Sequence, residues 1–277
     1  MPLPLLGLML VLPALAVIVL LFVVPLAASV AGAFEVAGRF GPTFGLGNFT
    51  KTFELYTADI VFTVLIVSLS TVLIGVLAIA IGGYLTLGEN PRAVAVLRWL
   101  YRWPMFIPFI VVGQVLRTFL AKNGLMNNVL IGAGLITPLQ AMSFLDWRGI
   151  VIAFVWKQTP FVALLVAGAM ASVDRGTLEA ARNLGASRVR ILIEILVPQV
   201  ATTLMVSLVL SFVTMMSVLS VPLMINVQSP TMITADIAFR INAYGDYGVA
   251  NALGLVSLAI SACAAWFYLR HSVRERA

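Results

Sequence analysis

The chain has 277 residues, of which 61% are hydrophobic and only 10% charged, and its mean hydropathy is +1.07. Ordinary soluble domains carry about 25% charged residues, so this composition excludes a water-soluble globular fold and makes lipid the main solvent. The net charge of +6 is not read as a nucleic-acid footprint, because the arginines are spread between apolar runs, where they set topology against anionic lipid and the membrane potential.

Six segments reach the roughly 20 helical residues that a bilayer crossing takes. They are Leu5–Ala31, Ile60–Leu85, Leu100–Leu120, Gly149–Ser172, Gln199–Ile225 and Tyr247–Leu269. The expected fold is therefore all-α, a single transmembrane domain over residues 1–277. The first run has no positively charged lead and no small-residue cleavage site, so it is read as a retained helix and not a signal peptide. Prolines break the third segment at Trp103-Pro104 and Phe106-Ile107-Pro108. Membrane helices tolerate them only where neighbours satisfy the freed backbone groups. After the third segment, the Leu125–Ile131 run is too short to span and is expected as a short interfacial helix. After the fifth, Asp236 and Arg240 stand four apart, a helix-compatible ion-pair spacing. Cys263 is the single cysteine, which allows neither an internal disulfide nor a thiolate metal cluster.

Basic residues orient the spans. One set of connections holds Arg92, Arg98, Arg102, Arg175, Arg182, Arg188, Arg190, Arg270, Arg274 and Arg276; the opposite set holds Arg39, Lys51, Arg117, Lys122, Arg148 and Arg240. Ten against six makes the first set cytoplasmic, and an even helix count puts both termini there.

The stretch between the fourth and fifth spans, "LEAARNLGASRVRILIEILVPQV", is charged where its neighbours are apolar. Leu178, Ala181 and Leu184 recur on one side of a short helix. Asp174 or Thr177 can cap its start, and Gly185 ends it, since glycine enters the left-handed conformation most cheaply. Ser187 can cap a second helix through Val189, Ile191, Leu192 and Ile195, and Pro198 marks the start of the next span. The result is a helix–glycine–helix elbow over residues 173–198. Its small Ala180 and Ala181 suit close approach of another protein better than lying in lipid.

The spacing Glu179-Ala180-Ala181, three residues, Gly185, nine residues, Ile195-Leu196-Val197-Pro198 resembles the EAA loop of binding-protein-dependent ABC importer permeases, with Val197 replacing a leucine. The six-span layout extends the resemblance over nearly the whole chain. "NGLMNNVLIGAGLI" (Asn123–Ile136), "MITADIAFRI" (Met232–Ile241) and "DYGVANALGLV" (Asp246–Val256) look most like the spermidine/putrescine group, which has opine, phosphonate and ferric-iron relatives; maltose-type sugar permeases share much of the layout. The resemblance implies the MetI-like type I ABC importer permease fold in a bacterial inner membrane. It also implies a pair of ATPase subunits, a second permease subunit and an extracytoplasmic binding protein as partners, with no nucleic acid. In the coupling loop it implies polar contacts from Glu179 and Arg182, close packing at Ala180 and Ala181, and an elbow at Gly185. No cofactor is expected in this chain: ATP and magnesium would sit on the partner ATPase, in keeping with the lack of a GxxxxGK[ST] loop here.

Along the path, Lys157-Gln158 lies at depth in the fourth span, where an ionisable residue is a functional candidate or a structural pair within the bundle. Ser211, Thr214 and Ser217 step along the fifth span and line a path or bond neighbouring helices. Asn226 and Asp236 border the outer mouth, where they would meet the binding protein or the solute. No Asp or Glu falls in the middle of these six segments, which disfavours a polycationic solute and leaves room for neutral or anionic ones. Two other classes compete. A membrane-embedded enzyme would need a clustered constellation, against which stands a single histidine, His271. An ion-coupled secondary transporter often carries inverted repeats, and none is evident.

Overall fold

The computed structural model describes residues 3–38, 41–226 and 228–274; Arg39 and Arg276 of the charge tally lie outside them. The chain divides into two compact units, Met1–Ala58 with Asp236–Ala259, and Asp59–Ala235 with Ile260–Ala277.

In the first unit, α1 (Leu3–Ile18) and α2 (Val24–Phe34) run on through a π turn at Val19–Val23. The Val24 amide donates five residues back to Val19, so the ladder is already shifted where Pro25 arrives without an N–H. An antiparallel hairpin follows, β1 (Glu35–Gly38) on β2 (Gly41–Phe44), with Glu35 opposite Phe44. It is the one sheet among the described residues. Asn48, buried at the start of α3 (Gly47–Leu87), closes the corner by donating its side-chain amide to the carbonyls of Ala33 and Glu35. Ahead of α13 (Tyr247–Arg274), Arg240 bonds the Tyr56 hydroxyl, lies over the Tyr56 and Tyr244 rings, and pairs with Asp246 at 3.6 Å. Arg240 thus meets Asp246, a partner six residues on that the four-residue spacing from Asp236 did not point to.

In the second unit, α7 (Trp147–Ala171) and α10 (Val197–Ser217) pack side by side. Phe154, Ile150, Val166, Met170 and Met215 are fully buried. The stretch of α3 from Gly75 to Gly83 joins them by close approach: a Cβ on Gly82 would sit 3.1 Å from the Met170 sulfur, and one on Gly75 would sit 3.3 Å from Leu208. Small residues let membrane helices come this near.

Five helices among the described residues are long and apolar enough to cross a membrane: Val11–Phe34, Gly47–Leu87, Trp147–Ala171, Arg188–Ser217 and Tyr247–Trp266. A sixth crossing exists if Pro91–Phe106 and Phe109–Gly132 count as one span bent by 106°. Three expected spans need correction. The second starts at Gly47, not Ile60, because the mixed polar and apolar residues 48–59 continue the helix. The third is not a straight Leu100–Leu120 helix but α4 (Pro91–Leu100), a 3-10 turn (Trp103–Phe106) and α5 (Phe109–Leu120), after which α6 (Leu125–Gly132) forms the expected short helix. Pro108 cannot donate to the Pro104 carbonyl, and it forces Ile107 into extended backbone (φ −89°, ψ 124°).

The fifth span is shifted at both ends. It begins at Arg188, since α9 (Arg188–Ile191) runs through a π turn (Leu192–Leu196) into α10 and passes Pro198 without a break. It ends at Ser217, because Pro222 in α11 (Ser220–Ile225) cannot donate to the Val218 carbonyl, which accepts from the Thr234 hydroxyl at 2.9 Å instead.

Candidate functional site

The segment after α7 is built by its caps. The Asp174 carboxylate accepts from the Thr177 amide at 3.0 Å and from its hydroxyl at 3.2 Å, opening α8 (Arg175–Asn183). Hydrogen bonds from the Thr177 amide first, then the Gly176 amide and the Thr177 hydroxyl, hold that carboxyl below the usual carboxylate range. At the other end the Gly185 amide donates to Arg182 and the Ala186 amide to Ala181. This is a Schellman closure, with Gly185 at φ +83°. Ser187 then caps α9 by accepting from the Arg190 amide at 3.3 Å. The elbow expected from the sequence is therefore formed, capped at each of its three corners. Arg188 also bonds Glu89, tying the start of α9 to the connection before α4.

The surface of the elbow differs from expectation in one respect. Leu178 is buried and Ala181 half-buried, but Leu184 is 88% exposed. The helix ends one residue before Leu184, and the turn into Gly185 swings that side chain off the apolar side. Glu179, Ala180 and Arg182 are exposed too. An apolar knob beside two charged groups on a rigid turn is an arrangement that a protein partner can grip.

The residues expected along the path separate into two groups. Lys157 points at the break in the third span, where its ammonium donates to the carbonyls of Pro104 at 3.0 Å and Met105 at 2.7 Å and lies over the Phe109 ring. It therefore gives the Met105 carbonyl a donor and adds a second one to the Pro104 carbonyl, which already accepts from the Ile107 amide at 3.2 Å. Gln158 beside it is buried. On α10, Ser211 is buried and its hydroxyl has no hydrogen-bond partner among the described residues. Thr214 and Ser217 are exposed and bond their own helix at the carbonyls of Leu210 and Thr214. Asn226 donates to the Pro230 carbonyl within its own loop. Asp236, 8% exposed, lies beneath the surface.

Sequence reading missed Asp59. It is buried on α3, and its carboxylate accepts from the Thr231 amide at 2.7 Å and the Ser229 hydroxyl at 3.3 Å. One turn on, the Thr63 hydroxyl accepts from the Ile233 amide at 3.0 Å. Together they bolt the loop after α11 to α3. The available signal was an acid and a threonine four apart, on one helix face, at the margin of an apolar run.

The family described as "Binding-protein-dependent transport system inner membrane component" matches residues 78–276. The sulfoquinovosyl glycerol transport system permease protein SmoG of Agrobacterium fabrum is 27% identical, over 96% of this chain and 90% of its own. The spermidine/putrescine transport system permease protein PotB of Escherichia coli is 31% identical over 56% of each chain. A chain in the crystal structure of a bacterial alginate ABC transporter, in complex with its alginate-bound periplasmic protein, superposes with a TM-score of 0.81 at 21% identity, covering 98% of this chain and 94% of its own.

Proposed function

The chain belongs to the family of binding-protein-dependent transport system inner membrane components, and on that premise we propose that its capped elbow couples an ATPase to the movement of a polyhydroxylated solute. It is a permease subunit of an ABC importer, with the MetI-like permease fold and several membrane crossings. The rest of the proposal concerns what that subunit does. A single permease domain presents residues 173–198 to one of two ATPase subunits, which hold the ATP and magnesium; this chain holds no cofactor. Glu179 and Arg182 make the polar contacts, Ala180 and Ala181 admit the partner closely, and Leu184 enters an apolar recess. A second permease subunit completes the path against the exposed hydroxyls of Thr214 and Ser217. Ser211 stands behind them, and Lys157 and Gln158 keep the wall of the path in place at the broken span. A binding protein docks at the opposite end, on the loop that contains Asn226, and Asp236 is the second contact expected for it.

The observation that carries this reading is the elbow itself. Its backbone is over-determined by Asp174, Gly185 and Ser187, while Leu184 is left in water. A cysteine in place of Leu184 is expected to crosslink to the ATPase subunit in the assembled complex, with a yield that changes when nucleotide is added. No crosslink under either condition would reject the coupling role.

For the solute, one relative matched along nearly its full length is a sulfoquinovosyl glycerol permease, and the hydroxyls of Ser211, Thr214 and Ser217 suit a glycoside. A polyamine is the second reading, favoured by the likeness to PotB over half the chain. The one carboxylate buried on α3, Asp59, is already held by Thr231 and Ser229, which leaves it poorly placed to receive a polycation. Uptake of a radiolabelled glycoside compared with uptake of radiolabelled spermidine by the assembled complex separates the two.

A further inference from the structure

The end of α4 and the 3-10 turn after it carry two pairs spaced by four residues: Arg98 with Arg102, and Trp99 with Trp103. The tryptophan rings meet edge to face at 4.9 Å. Trp99, Trp103 and Phe106 are all largely exposed and form one wall of an apolar groove of about 790 Å³ whose polar rim is the two arginines. The same two arginines also line a second cavity, of about 640 Å³, shared with Arg175, Arg182 and Glu179 of the elbow. Four guanidinium groups thus face one carboxylate. None of the four forms an ion pair among the described residues; Arg102 donates only to the Tyr101 hydroxyl.

We propose that these two cavities, which share Arg98 and Arg102, form a binding site for one anionic phospholipid, its phosphate held by Arg98 and Arg102 and its acyl chains laid along Trp99, Trp103 and Phe106. Each half of the site explains the other. Tryptophan settles at the level of lipid headgroups, and arginine matches a phosphate in a forked, two-bond geometry. A free anion would have no use for the groove, and a neutral lipid would leave four positive charges facing one carboxylate. Arg175 and Arg182 deepen the positive potential from across the cleft, while Glu179 opposes it. An occupied site would therefore join the membrane surface to the elbow. The inference rests on the proposed orientation only in assigning the lipid to the cytoplasmic leaflet.

The test uses the full chain with Trp147, Trp156 and Trp266 replaced by phenylalanine, so that emission comes from Trp99 and Trp103 alone. It is placed in phosphatidylcholine nanodiscs containing increasing fractions of brominated phosphatidylglycerol or brominated phosphatidylcholine. Brominated phosphatidylglycerol is expected to reach half-quenching at a mole fraction lower by on the order of tenfold, the preference two headgroup-facing arginines supply. Arg98→Gln with Arg102→Gln should abolish that preference. Arg92→Gln, on the same helix but outside both cavities, should leave it intact. Equal quenching by the two lipids overturns the proposal whether or not the double variant folds. So does an equal loss in Arg92→Gln, which would mean general surface charge, and so does displacement by millimolar inorganic phosphate, which would mean a site for free anions. The measurement needs neither ATPase nor solute, so its failure is separable from failure of the coupling reading.

Discussion

Lys157 illustrates how a charge at depth acquires a task that spacing alone does not reveal. It donates to two carbonyls of the broken third span, some fifty positions away in sequence, so only the fold brings them together. Replacing it with methionine keeps the length of the side chain, strands the Met105 carbonyl and leaves the Pro104 carbonyl with the Ile107 amide alone. Hydrogen bonds to charged groups are worth about 1.5–3 kcal/mol each, so Lys157→Met is expected to lower stability by about 3 kcal/mol and to reduce the melting temperature of the purified complex. An unchanged melting temperature with impaired uptake would move Lys157 back to direct contact with the solute. Asp174 gives a second prediction. Its carboxyl is held below the usual range by the Thr177 amide and its neighbours, so its contribution to the cap is fully present above the unfolded value of about 3.9. That contribution is lost as pH falls through the lower folded value. Hydrogen-exchange protection of the Thr177 amide, corrected for intrinsic rate, should therefore fall below about pH 4, and in Asp174→Asn the decline should vanish.

At the scale of elements, the elbow was legible and the spans were legible only in part, for different reasons. Caps and a left-handed glycine are local chemistry: Asp174, Gly185 and Ser187 each act within three residues of themselves. Gly185→Val is accordingly expected to disorder the elbow, since a β-branched residue at φ +83° is strained, and to uncouple ATP hydrolysis from uptake in reconstituted vesicles while leaving the complex in the membrane. Tightly coupled transport by that variant would show that the turn is dispensable. Span ends, by contrast, depend on distant donors. Hydropathy marks an apolar run, but the break at Pro108 is stabilised by Lys157, and the break at Val218 by Thr234. The N-terminal extension of α3 was hidden because residues 48–59 mix polar and apolar side chains, and their helicity rests on bonds such as those Asn48 makes to Ala33 and Glu35. Leu184 misled for the opposite reason: its three-residue step from Ala181 is helical in sequence, but the helix stops before reaching it.

At the scale of the whole molecule, the arginine bias and the structure agree on grouping. Arg98 and Arg102 line the same cavity as Arg175 and Arg182, so two of the three basic clusters lie on one side. An alkaline phosphatase fused at Gly45, beyond the hairpin, is expected to be active, and one fused at Ala186, in the elbow, inactive; the reverse pattern would invert the topology. The pairing of α9 with α10 carries a mechanical consequence. With the π turn between them they form an unbroken rod of 30 residues, about 45 Å long at 1.5 Å per residue, half again the thickness of the hydrocarbon it crosses. Such a rod is a lever. A tilt of about 10° about its midpoint carries its two tips about 4 Å in opposite directions. A pull on the elbow toward the twofold centre of a permease pair would thus swing Thr214 and Ser217 away from it, opening one mouth by the stroke that shuts the other. The π turn sits near the pulled tip, like a flexure in a pushrod, and its stiffness sets how much of the stroke reaches the far end.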